Sequence, residues 1–190
     1  MIGFSAVVLA GGQPVAAKVG KKLSFDLFRL NDGNRAHGGG PFCLSKGRFQ
    51  DPDYNPNSRV MEQIIKAGPD AVPVLVEMLA DQKRKRGSEN IICFWGPVSR
   101  GELAFLVLTE LFLDSTWSRT TVPGADWSMV GGSPDSASFV RFREYIEKNG
   151  SEPLQLKWRT LWSEYKDKVY WDEKERCFML KPEFRSELKN

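Results

Sequence analysis

Three aspartates and two tryptophans lie between residues 114 and 135 of this chain. Trp117 and Trp127 stand among Ser, Thr, Gly and Pro residues, with Asp114, Asp126 and Asp135 nearby. Two carboxylates at a fixed separation are the groups that hydrolyse glycosidic bonds, and aromatic rings in a polar loop stack on sugars or anchor a protein partner. This stretch therefore predicts either a hydrolase acting on a carbohydrate or ester, or a binding surface.

The composition from 114 to 133 is too broken for a regular helix or strand, so the segment is predicted to be a loop. Its tryptophans have two interpretations. They either meet a partner or fold back over the preceding helix as a lid on the core. In the binding interpretation, the residues expected to contact the partner are Trp117, Trp127, Asp126 and, from a second polar segment, His37.

The second polar segment contains His37-Gly38-Gly39-Gly40. These residues resemble the oxyanion loop of lipase-type hydrolases, in which backbone N–H groups face a developing negative charge. That resemblance implies a Gly-x-Ser-x-Gly elbow and a general-base histidine. The sequence has no such elbow, and its single histidine is His37 itself. The glycines are therefore interpreted as a flexible turn, and no catalytic residue is assigned.

The cysteines are far apart in sequence. Cys43, Cys93 and Cys177 form no Cys-x-x-Cys pair, so the sequence predicts neither a metal site nor a cofactor. A Cys–His pair with His37 is formally available. In an exported protein one disulfide and one spare thiol are expected, and in a cytosolic protein three reduced thiols. The pairing stays open.

Four consecutive cations, Lys83 to Arg86, precede Gly87. Such a run clamps phosphates, acts as a targeting signal, or complements the dipole at the C-terminal end of a helix. The solvated helix end is the preferred interpretation. If the two tryptophans belong to the core, this run is the next place to seek a binding surface.

Two apolar helices must organise the fold. The stretch from Gly68 to Asp81 predicts an amphipathic helix with Asp70 as its N-cap. Its apolar stripe is Val72, Leu75, Val76 and Leu79. The stretch from Gly101 to Leu113 is apolar around nearly its whole circumference, so it is expected at the centre of a helical domain. An apolar extended segment at 91–95 leads into it, and Ser99 with Glu102 predicts a capping box.

The first of these helices resembles one unit of a HEAT-type helical repeat. The resemblance rests on Ala71-Val72-Pro73-x-Leu75-x-x-x-Leu79-x-Asp81 and on a partner helix at 58–67. It implies two antiparallel helices joined by a short turn and a surface offered to another macromolecule. No second copy occurs at a spacing of about 35 to 47 residues.

The C-terminal third predicts two further helices and a hairpin. Ser136 to Asn149 ends at Gly150, and Pro153 opens a helix that reaches about Asp167. Two short β-type runs around a charged turn predict a hairpin at 169–180, followed by a charged turn or helix. The aromatic stripe of the second helix is interpreted as core: Leu154, Trp158, Leu161, Trp162 and Tyr165.

The N-terminus, residues 1–17, is apolar and ends Val15-Ala16-Ala17, which suits signal peptidase, although no Lys or Arg precedes Lys18. We expect either a truncated signal peptide, with the mature chain secreted or periplasmic, or a first β-strand in a cytoplasmic protein. Residues 18–57 have loop composition, and 58–190 form the helical domain.

The sequence therefore predicts a mainly α-helical protein with a long N-terminal loop region and a short C-terminal β-hairpin. A formal charge of +3 over 190 residues gives no argument for nucleic acid as the main partner. The sequence contains no run of about 18 apolar residues, so it predicts no membrane span. The favoured function is a non-enzymatic protein-binding or inhibitory module, and the alternative is a hydrolase acting through residues 114–133.

Overall fold

The computed structural model describes residues 23–30, 59–86, 97–114, 120–131, 138–175 and 177–189. Within these residues the chain is mainly helical, with one antiparallel β-hairpin, as the sequence predicts. The regular elements are α1 (Arg59–Ala67), α2 (Ala71–Met78), α3 (Arg100–Leu111), α4 (Ser138–Asn149), α5 (Glu152–Tyr165), β1 (Val169–Asp172) and β2 (Cys177–Leu180). Short 3-10 turns lie at Leu27–Arg29, Gly68–Asp70, Trp127–Val130 and Pro182–Lys189.

Helix α3 is the centre of the fold. Every residue from Gly101 to Leu111 is buried, which confirms the prediction from its all-round apolar sequence. Ser99 accepts a hydrogen bond from the Glu102 backbone N–H, and the Glu102 carboxylate accepts one from the Ser99 N–H, so the capping box is also confirmed. The same carboxylate forms an ion pair with Arg143 of α4, which fixes the start of α3 against that helix.

Helix α2 packs on α3 through the predicted stripe. Val72, Leu75, Val76 and Leu79 are all buried. The predicted N-cap is corrected, because Asp70 already has helical backbone angles and its side chain makes no capping hydrogen bond. The 3-10 turn Gly68–Asp70 runs directly into α2, so the N–H of Ala71, the first residue of α2, already donates to the carbonyls of that turn.

The helix pair expected from the HEAT resemblance is present as α1 and α2, joined by that turn. Val60, Met61 and Ile64 of α1 are buried. The described residues contain no second helix pair that repeats this sequence pattern. The HEAT-like assignment therefore stays a prediction, and the structure shows only helix packing.

The C-terminal elements match their predicted positions. Helix α4 ends at Asn149 and is followed by Gly150, whose φ of 74° is the left-handed angle that glycine tolerates after a helix end. All five residues of the α5 aromatic stripe are buried. In the hairpin, Val169 pairs with Leu180 and Asp172 with Cys177. The buried Thr121 hydroxyl contacts the carbonyls of Phe112 and Phe178, which ties the hairpin to the end of α3.

Part of the predicted loop region contributes to the core. Phe25, Leu27 and Leu30 are buried, and their 3-10 turn packs against α1 and α3. The C-terminal turn is also anchored, because Phe184 packs on the core. Several expectations lie outside the described residues, namely the signal peptide or first strand at 1–17, the segment 91–95 and the pairing of Cys43 and Cys93. Cys177 is buried in β2.

Gly101 lies where the C-terminal end of α2 meets the N-terminal end of α3. Its N–H donates to the Asp81 carbonyl at 2.8 Å, and a Cβ at this position would lie 2.9 Å from the Leu79 carbonyl oxygen and 2.5 Å from Gln82 Nε2. We expect Gly101→Ala to lower the free energy of unfolding by about 1 to 3 kcal/mol, because a methyl group is forced into a filled space. Urea melts measure this loss.

The double variant Gln82→Ala/Gly101→Ala is the matched control. It removes the flexible side-chain clash but leaves the backbone carbonyl of Leu79 in place. It should therefore recover only part of the lost stability. A Gly101→Ala protein as stable as wild type would show that α2 and α3 do not approach this closely.

Candidate binding surface on helix α2

Trp127 belongs to the core. It begins the 3-10 turn Trp127–Val130, only 4% of its surface is exposed, and its ring meets Phe105 of α3 edge-on at a centroid distance of 5.0 Å. Trp127 therefore folds back over α3 as a lid on the core, which is the second of the two interpretations given above. The expectation that this ring contacts a partner is corrected, because almost none of it is exposed. The turn is a further difference from the predicted irregular loop.

The carboxylate of Asp126 caps that turn, because its Oδ1 accepts a hydrogen bond from the Ser128 N–H at 2.8 Å. This capping contact accounts for an aspartate at position 126, and no bound ligand is needed to explain it. The remaining predicted site residues, Trp117 and His37, lie outside the described residues, as does Asp135. Of the four predicted site residues the structure therefore describes only Asp126 and Trp127, and the hydrolase hypothesis stays a prediction.

The basic run, Lys83–Arg86, is held by the start of α3. Arg84 forms an isolated antiparallel bridge with Ser99, and the Lys85 N–H donates to the Val98 carbonyl at 3.0 Å. All four side chains are exposed. The run is thus a fixed segment of backbone carrying four cations, and it is more than a solvated helix end.

Phe28 supports two cations next to the basic run. The Nζ of Lys85 lies 4.8 Å from the ring centroid, and the Cζ of Arg100 lies 5.6 Å from it. Cations over an aromatic face are attracted by the negative potential of the ring. Arg100 also forms an ion pair with Asp81 at 3.0 Å, so its guanidinium is held from two directions.

Beside these cations, a groove of about 540 Å³ follows the outward face of α2. We call it the α2 groove, and its lining residues are Leu23, Ser24, Pro73, Val74, Glu77, Met78, Asp81 and Arg100. The apolar members come from α2 and from the start of the 23–30 segment. Helix α2 is therefore apolar on two sides. One side fills the core, and on the other the half-buried Val74 and Met78 pack at the edge of the core and line the groove.

The two carboxylates of the α2 groove have cationic partners. Asp81 pairs with Arg100, and Glu77 pairs with Arg159 of α5 at 2.9 Å. Exposed pairs of this kind stabilise a fold little, but they offset the local negative charge. By contrast, Lys83, Arg84 and Arg86 have no carboxylate at ion-pair distance among the described residues.

A second groove, of about 600 Å³, lies along α5. Pro123, from the described part of the 114–133 loop, forms one wall, and Leu156, 62% exposed, belongs to the apolar floor. Its charged members are one cation, Lys157, and one anion, Glu164. This α5 groove therefore favours neither sign of charge.

Sequence reasoning found the basic run but missed the groove beside it. A signal was present, since Val74 and Met78 are four residues apart and lie outside the predicted core stripe of α2. Apolar residues on two sides of a short helix indicate that both sides contact other parts of the protein or a partner. The contribution of Leu23 had no sequence signal, because it depends on where the 23–30 segment packs.

Comparison with known protein families, curated proteins and solved structures gives no match for this chain. Among the described residues, no group of three His, Cys, Asp or Glu side chains is placed to hold a metal ion. Nor does any helix in that part of the chain combine the length and apolar content needed to cross a bilayer.

Proposed function

We propose that this chain is a non-enzymatic protein-binding module, built on a HEAT-like helical core, and that the α2 groove is its binding site. The observation that carries the proposal is the second apolar side of α2. Val74 and Met78 line an open groove together with Leu23, although the opposite side of the helix already fills the core. An apolar groove on a rigid helix is a common seat for a peptide segment of another protein.

The rigidity of the surrounding structure supports this proposal. The C-terminal end of α2 is tied to α5 by Gln155, whose side-chain N–H groups donate to the carbonyls of Val76 and Glu77 at 3.0 and 3.2 Å. It is tied to α3 by the hydrogen bond from the Gly101 N–H to Asp81. A preformed groove loses little conformational entropy when a partner binds.

The polar groups of the groove suit binding more than catalysis. Glu77 and Asp81 are each paired with an arginine, so their charges are already engaged within the protein. The charged rim is therefore suited to orienting a partner.

The proposal is tested by placing a photo-crosslinking amino acid at position 23 and, as a matched control, at position 140. Leu23 is 38% exposed in the groove and Val140 is 49% exposed on α4, so both substitutions are made at accessible apolar positions. The full-length protein is expressed in its native host, and crosslinked proteins are identified by mass spectrometry. We expect a single stoichiometric protein partner from position 23 and none from position 140.

The variants Leu23→Asp and Val140→Asp complete the experiment. Both should melt within a few degrees of wild type because neither side chain is buried. Leu23→Asp should weaken partner binding about tenfold or more, while Val140→Asp leaves it unchanged. Equal binding by the two variants, or equal crosslinking from the two positions, would contradict the assignment of the α2 groove.

A further inference from the structure

The α2 groove and the basic run form one continuous surface. Arg100 connects them, because it lines the groove and shares the Phe28 ring with Lys85 of the run. A segment lying in the groove and leaving it past Arg100 would therefore meet Lys85 and the rest of the basic run. The surface is apolar at one end and cationic at the other.

The surface carries positive charge at its cationic end. The groove carboxylates Glu77 and Asp81 are offset by Arg159 and Arg100. The four cations of the basic run are exposed, and three of them have no carboxylate at ion-pair distance within the described chain. An anionic partner is the chemical complement of such an arrangement.

The backbone of the basic run is also held in place before any partner arrives. One backbone hydrogen bond joins Lys85, within the run, to Val98, and another joins Gly101 to Asp81, just before the run. Only side-chain freedom is then lost on binding, which costs about 0.5 to 1.5 kcal/mol for each long side chain that becomes ordered. A clamped run of cations can therefore contribute to affinity as well as to the rate of association.

We propose that the partner segment is an acidic amphipathic peptide, with apolar side chains in the α2 groove and carboxylates on the basic run. This inference rests on the proposed function and specifies the chemistry of its partner. The apolar residues supply contact area in the groove, and the carboxylates set the direction in which the segment lies. Charge complementarity with Lys83 and Arg84 distinguishes it from a neutral or basic segment.

Two observations favour a protein segment over a nucleic acid. The apolar lining of the groove is Leu23, Pro73, Val74 and Met78, which a phosphate backbone does not complement. The Phe28 ring already carries the cations of Lys85 and Arg100, so a base would have to displace them in order to stack there.

The test is a selection of random phage-displayed peptides of about 12 residues on the full-length protein. Wild type, Leu23→Asp and the double variant Lys83→Glu/Arg84→Glu serve as targets. Successive side chains of an extended segment point to opposite sides, so the double variant reverses one cation on each side of the run. The control is Lys148→Glu/Lys166→Glu, which makes the same charge change at exposed positions of α4 and at the end of α5.

We expect peptides enriched on wild type but not on Leu23→Asp, with apolar residues followed or preceded by a cluster of Asp and Glu. Their affinity, measured by fluorescence anisotropy of synthesised peptides, should fall about tenfold for Lys83→Glu/Arg84→Glu and less than about twofold for the control, because an exposed ion pair is lost and a like charge takes its place. It should also fall when the salt concentration rises from about 50 to about 300 mM.

Each other outcome has a definite meaning. If no peptide depends on Leu23, the proposed function fails and this inference fails with it. If the peptides depend on Leu23 but carry no acidic excess, or bind the Lys83→Glu/Arg84→Glu variant as well as wild type, only the acidic partner is wrong. A dT oligonucleotide that competes for the surface and binds tighter than the peptides would identify a nucleic acid and would also overturn it.

Discussion

Both Leu106→Ala and Leu108→Ala are expected to lower the free energy of unfolding by about 2 to 5 kcal/mol, the usual range for a buried leucine. The two side chains lie about 200° apart around α3, and both are buried. A helix covered on one side only would leave one of them in water. Because neither is exposed, the loss should be large at both positions, as measured by urea or guanidinium melts.

Leu156→Ala is the matched control for these variants. Leu156 is also a helical leucine, but it is exposed in the α5 groove, so its truncation should cost less than about 0.5 kcal/mol. A loss below about 1 kcal/mol at either Leu106 or Leu108 would mean that one face of α3 is solvated.

Trp127→Ala should lower the free energy of unfolding by about 3 to 5 kcal/mol, the range for a truncated core aromatic. The indole covers α3 and contributes an edge-to-face contact with Phe105. The same ring is shielded from solvent. The expected effect is therefore on stability, measured by urea melts. The native variant should lose only the intrinsic fluorescence that this one buried indole contributes.

Trp127→Phe is the comparison variant, because it shows how much of the lost stability comes from removing the aromatic ring altogether. It keeps an aromatic ring near Phe105 and removes less volume, so it should cost clearly less than the alanine variant. If Trp127→Ala left the melting temperature within a few degrees of wild type, the lid would be loosely packed and Trp127 would again be available to a partner. Partner binding should otherwise change only in proportion to the fraction unfolded.

The helices were predictable because their signals are local and repeated along the chain. The all-round apolar stretch at 101–113, the stripe of α2 and the Pro153 start of α5 each depend on residues a few positions apart. Asp70 is of a residue type that favours the N-cap position. In the structure a 3-10 turn leads into α2 instead, and the Asp70 side chain makes no capping hydrogen bond.

The candidate site was less predictable than the fold. The basic run was visible in the sequence, but the choice between a solvated helix end and a surface depended on contacts with Phe28, Val98 and Ser99. The polar neighbours of the tryptophans at 114–133 favour exposed rings, and exposed rings favour a binding role. Trp127 shows that an aromatic ring can enter the core from such a loop when a short turn aims it at an apolar helix.

The sequence by itself determined which segments are helical, which side of each helix must be covered, and where the hairpin lies, because apolar periodicity, caps and turn residues act over a few positions. Only the tertiary structure decided that the second apolar side of α2 is an open groove beside fixed cations. That arrangement depends on Leu23, Phe28 and Arg100, which are far apart in the chain and meet only when α3 and the 23–30 segment pack together. Contacts between distant segments are set by the packing of the whole core, and no local pattern of residues records them.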